Sequence, residues 1–136
     1  MDNLDGNADV YIASESEWST QGINNVTASG NSLLDGGPDQ GSVIVYDSQD
    51  STYSITGVTV SGNQFVNPLY VAVQFAGNGS ETGIEIENNT DYSTGQFSAS
   101  GNTSATFTES GNQVLAPSAY TTSRAPAGGG GNFSGC

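Results

Sequence analysis

Glu85 and Glu87, in the run Ile84-Glu85-Ile86-Glu87, are the side chains of this sequence best spaced for acid–base work. In an extended segment two such residues share a face about 7 Å apart, within the range of carboxylate pairs that cleave glycosidic bonds. The solvated face of a half-buried strand shows the same spacing. With Tyr70 they make up a candidate glycan face. Trp18, Tyr46, Tyr53 and Tyr92 could extend it by stacking on sugar rings, or serve as packing between strands.

Little other chemistry is on offer. The chain has no histidine, one basic residue, Arg124, and one cysteine, Cys136 at the last position. That removes histidine-activated nucleophiles, Schiff-base lysines and zinc sites built from histidine and cysteine clusters. Asp5, Asn7 and Asp9 place oxygen ligands at alternate positions, as calcium loops do. The glycine and glutamate such a loop needs at its sixth and twelfth positions are replaced by Val10 and Ser16. These three residues are weak calcium candidates, and no metal or other cofactor is expected. Asn25, Asn78, Asn88, Asn102 and Asn132 begin N-x-Ser/Thr sequons, which matter only in an exported protein.

The charge balance excludes partners. Fourteen acidic residues stand against Arg124, for a net charge of −13. A phosphate backbone needs lysine and arginine to displace its counterions, so nucleic acid is not an expected partner. Anionic membrane surfaces are disfavoured for the same reason, and no run of about 18 apolar residues suggests membrane insertion. The opening Met1-Asp2-Asn3-Leu4-Asp5 lacks the basic and apolar regions of a signal peptide, so either the protein is not exported by that route or the sequence has been trimmed.

The elements that would position these residues read as strands. Val and Ile outnumber Leu by 16 to 5, glycine numbers 19, and no segment carries 3.6-residue apolar periodicity. Residues 23–34, INNVTASGNSLL, return at 55–66 as ITGVTVSGNQFV, a spacing of 32. The tripeptide SGN recurs at 100–102 and 110–112. Val58 and Val60 share one strand face, Gly62-Asn63 can turn the chain, and Phe65 resumes the inward face. Alternation predicts that Val71, Val73, Ile84 and Ile86 also point inward, with Thr59, Ala72 and Glu85 outward. Many short strands closed by Gly, Asn or Ser suit an all-β fold, either a stacked solenoid or an antiparallel β-sandwich. Repetition of one turn at one place in each unit favours stacking.

The run VTVSGNQFVNP followed by VAVQF resembles a coil of the right-handed parallel β-helix, the pectate-lyase-like architecture. The resemblance covers residues 22–115, about four coils. It implies inward Val and Ile stacked along an axis and an asparagine ladder at one turn, for which Asn31, Asn63 and Asn102 are the candidates. The lyases of this architecture use a basic proton abstractor, and Arg124 lies outside the repeat. Virion decoration proteins and tailspikes are the β-helix proteins this chain is most similar to.

Three segments follow: an N-terminal cap over 1–21, a β-solenoid over 22–115, and a Gly/Pro-rich tail over 116–136, expected to be flexible. Four coils with about 19% Leu, Ile, Val and Phe bury little surface alone. The expected partners are therefore further copies of the chain, a trimer for instance, or a larger protein assembly. The expected role is non-enzymatic and structural, at a virion or extracellular surface. A polysaccharide-binding or polysaccharide-cleaving module is the alternative.

Overall fold

The computed structural model describes residues 8–15, 22–48 and 54–121. Its strands are β1 (Val10–Ser14), β2 (Ile23–Ser29), β3 (Ser32–Leu34), β4 (Val43–Asp47), β5 (Ile55–Ser61) and β6 (Gln64–Val66). They continue with β7 (Val73–Gly77), β8 (Glu81–Glu87), β9 (Thr90–Tyr92), β10 (Ser98–Ser100), β11 (Ala105–Ser110) and β12 (Gln113–Leu115). Three successive strands make one coil, and four coils stack into three sheets. Sheet 1 is β1-β4-β7-β10, sheet 2 is β2-β5-β8-β11, and sheet 3 is β3-β6-β9-β12. Every neighbouring pair is parallel, which excludes the antiparallel sandwich and defines a β-helix-like solenoid.

The core is a set of columns running along the stack. Val58 and Val60 sit over Val26 and Ala28, Val60 lies beneath Ile86, and Leu33 lies under Phe65. Val58, Val60, Val71, Val73, Ile84 and Ile86 are all buried, and Glu85 is exposed, as alternation requires. Ala72 departs from that expectation and is fully buried. It precedes β7, which begins only at Val73. There the chain rounds a corner, Ala72 and Val73 both donating to the carbonyl of Phe97, and strand alternation does not apply.

The solenoid also starts earlier than residue 22. β1 lies in the segment read as an N-terminal cap, yet it pairs residue for residue with β4 and is the first wall of coil one. At the other end, Pro117–Ala119 form a single 3₁₀ turn, and Tyr120 packs edge-on against Tyr92 with ring centroids 5.2 Å apart. The Gly-rich part of the tail, Arg124 and Cys136 lie outside the described residues.

Period-two alternation also breaks inside sheet 2, for a local reason. Asn25, Gly57 and Gly83 hold φ of 58°, 68° and 63°, a left-handed column across β2, β5 and β8. One left-handed residue shifts the side-chain parity, so the inward positions are 23, 26 and 28, then 55, 58 and 60, then 81, 84 and 86. A β-carbon on Gly57 would lie 2.8 Å from the Asn25 Oδ1, so the column has no room there for a larger residue.

Candidate functional site

The turn from sheet 2 to sheet 3 is the same in every coil: one left-handed residue, then an asparagine. Gly30, Gly62, Asn88 and Gly111 supply the left-handed residue, with φ between 57° and 66°. Asn31, Asn63, Asn89 and Asn112 follow them and form a ladder. The Asn31 backbone N–H and Nδ2 both donate to the Oδ1 of Asn63 at 3.0 Å. Asn63 repeats this to Asn89 at 2.9 Å, and Asn89 to Asn112 at 3.0 and 2.9 Å. The second amide proton points back, Asn63 to the Ala28 carbonyl, Asn89 to Val60 and Asn112 to Ile86. Asn63 and Asn89 are buried, and each has its amide protons and its side-chain oxygen satisfied, as a buried amide requires.

Asn102 is not a rung. It sits at the sheet 1 to sheet 2 corner, where its Nδ2 donates to the Gly79 carbonyl at 3.0 Å and its Oδ1 accepts from the Ser104 N–H at 2.8 Å. The true rungs fall 32, 26 and 23 residues apart. Asn89 and Asn112 were the rungs missed. The signal for Asn112 was its SGN tripeptide; for Asn89 it was Asn88 standing where the other turns have glycine, since asparagine tolerates positive φ best after glycine.

Three carboxylates lie inside the stack, at Asp47, Glu81 and Asp91. Glu81 occupies the inward column of Ile55 and Ala105. Burial pushes its carboxyl up to about 7, and the nearby Asp47 charge adds to the rise. Gly79 fits against that corner because a β-carbon there would meet the Asp47 carboxyl at 2.2 Å. Asp91 stands in the column of Phe65 and Val114. Burial raises it to about 6, although the Ser93 hydroxyl donates to its Oδ2 at 3.0 Å.

The outer face of sheet 2 is polar and ordered. Thr27, Thr59, Glu85 and Thr108 form one column, and Ser29, Ser61, Glu87 and Ser110 the next. β11 is one residue shorter than β8 between Ala105 and Phe107, so its register shifts there. A shallow groove of about 220 Å³ lies at that shift, lined by Gly83, Glu85, Thr106 and Thr108 among others. Tyr70 is exposed but belongs to the loop between sheets 3 and 1, so it shares no sheet face with Glu85 and Glu87. Of the calcium candidates, Asp9 precedes β1, while Asp5 and Asn7 lie outside the described residues. Among the described residues no three acidic, histidine or cysteine side chains gather into a metal-binding group, and no helix is long and apolar enough to cross a membrane.

The fold and these columns define the chain as a four-coil, β-helix-like solenoid stitched by an asparagine ladder. Comparison with protein-family models, with curated proteins and with solved structures returns no match to it.

Proposed function

We propose that this chain is a non-enzymatic structural protein that works by assembly, a decoration or fibre component of a virion or extracellular surface. The observation that carries the reading is the last coil. Its strands β10, β11 and β12 have a coil on one side only, and Val114 and Leu115 remain 46% and 38% exposed. Solenoids with open ends are completed by caps or partners.

The carboxylates support the same reading. Those shifted toward neutrality, Glu81 and Asp91, are sealed in the core and reach no substrate. Those on the outer face, Glu85 and Glu87, stand in columns of serine and threonine, and no basic side chain occurs among the described residues. The virion assignment draws on the resemblance to decoration proteins and tailspikes, and on an acidic, nearly base-free composition that keeps a dense array soluble.

The second reading, polysaccharide binding, is favoured by the ordered hydroxyl and carboxylate columns of sheet 2 and by the groove at Glu85. Incubation with a panel of polysaccharides, following both retention and reducing-end release, tests both readings. The structural reading expects no turnover. Turnover that disappears on Glu85→Gln or Glu87→Gln would overturn it, and retention without turnover would move the function to glycan binding.

A further inference from the structure

The corner between sheet 1 and sheet 2 carries polar side chains through the interior of the stack. In coils one, two and three, Ser14, Asp47 and Gly77 lie in register, and Ser14 and Asp47 are buried. The chain then turns through Gly79 into β8, whose first residue, Glu81, occupies the inward column of Ile55. Coil four places the buried Asn102 at the same corner. Coil three is shaped around the Asp47 carboxyl. A β-carbon on Gly79 would lie 2.2 to 2.5 Å from the atoms of that carboxyl, and one on Gly77 would lie 1.8 Å from the Asp47 carbonyl oxygen. Glycine at both positions lets the backbone close on an acid that a larger residue would push aside.

Glu81 is the group this arrangement leaves over. It has no solvent exposure, and neither of its carboxylate oxygens has a hydrogen-bond partner. The Asn102 Nδ2 donates instead to the Gly79 carbonyl at 3.0 Å. No basic side chain occurs among the described residues to pair with Glu81, and the Asp47 charge is close enough to act on it. Asp91 differs, since the Ser93 hydroxyl donates to its Oδ2 and no second acid is recorded beside it. Buried charges are paired or bound to metal. Two buried carboxylates at one corner, one of them without any donor, call for a cation.

We propose that Asp47 and Glu81 are the charged ligands of a calcium ion that ties coil two to coil three at this corner. The donors are oxygens, which select a hard cation over zinc or copper. Two carboxylates match the charge of the ion. Calcium fills its remaining positions with carbonyl, amide or hydroxyl oxygens in an adaptable geometry. The neutral oxygens of this corner are the Asp47 and Gly79 carbonyls, the Asn102 Oδ1 and the Ser14 hydroxyl. Magnesium demands a near-ideal octahedron and keeps several waters, which suits a sealed corner less well. The site does not depend on the assembly reading, because an ion linking two coils serves a structural protein and a glycan-binding one alike.

The test uses the full-length chain, stripped with a chelator and then titrated with calcium chloride at pH 8 and constant ionic strength. The stripped chain is also the state in which the pH dependence of these carboxyls is read. The urea midpoint should rise with calcium and saturate, with a Kd on the order of 10⁻⁴ M, and magnesium at the same concentrations should shift it far less. A chain of net charge −13 also gathers divalent cations at its surface, so two variants separate the site from that effect. Glu81→Gln, which keeps the shape and removes the charge, should weaken calcium binding about tenfold or more in titration calorimetry. Glu85→Gln, on the outer face, should leave it unchanged. A midpoint indifferent to calcium, an equal response to magnesium, binding kept in Glu81→Gln, or binding lost equally in Glu85→Gln would overturn the inference. None of these outcomes bears on oligomeric state or turnover, so the inference and the structural reading can fail separately.

Discussion

Asn63 shows what one side chain contributes to this fold. It receives both donors of Asn31, gives both kinds of donor to Asn89, and returns a proton to Ala28, with almost no solvent contact. Asn63→Ala strands buried partners on both neighbouring coils and should cost about 2–4 kcal/mol, read as a lowered urea midpoint. Asn88 is a conformational rung, with φ of 57°. Asn88→Gly should change stability by less than about 0.5 kcal/mol, whereas Asn88→Val should cost about 2 kcal/mol because a β-branched residue resists positive φ.

Glu81 and Asp91 set the pH dependence. Both carboxyls have folded values above their ordinary ones, about 7 against 4.5 and about 6 against 3.8. The stability they contribute is therefore complete at low pH and is lost as pH rises through those windows, on the order of 3 kcal/mol for Glu81. The urea midpoint should be lower at pH 8 than at pH 5. Glu81→Gln should raise it at pH 8 and flatten most of the dependence. A native chain more stable at pH 8 than at pH 5 would contradict the buried placement of these groups.

At the scale of the element, the unit is a strand, a left-handed residue, a ladder asparagine and a short strand. Two copies were readable in the sequence because INNVTASGN and ITGVTVSGN share most of their apolar and turn positions. The third, ETGIEIENN over 81–89, is the same unit with Glu81 for Ile55 and Asn88 for Gly62. Those replacements hid it, because a carboxylate is not expected in a core column and asparagine does not advertise a left-handed turn as glycine does. The fourth, ATFTESGN over 105–112, lacks one residue, and that deletion is the register shift of β11. Asn102 was misassigned because its SGN matches the tripeptide, but its Gly101 is not left-handed and no strand of sheet 2 precedes it. Glu85 and Glu87 were readable as outward residues, whereas the buried carboxylates were not. The burial of Glu81 depends on the parity change at Gly83, and that of all three on neighbours one coil away. The strand assignment itself is checked at Val60, which has no solvent exposure. Val60→Asp should cost about 3–5 kcal/mol and Thr59→Asp, on the opposite face, far less; equal tolerance in thermal melts would put the register off by one.

For the whole molecule, stacking replaces a conventional globular core. Each coil buries its columns against the next, and among the described strands those of the first and last coils have a neighbour on one side only. The chain carries a net charge of −13. The assembly reading leads to one expectation: association between copies, reversible and weakened at low salt by repulsion between strongly acidic bodies. Sedimentation of the full-length chain across a wide concentration range, at low and at physiological salt, tests this most directly. The account predicts a mass that rises with concentration and rises sooner at the higher salt. A single-copy mass at every concentration and salt would contradict it.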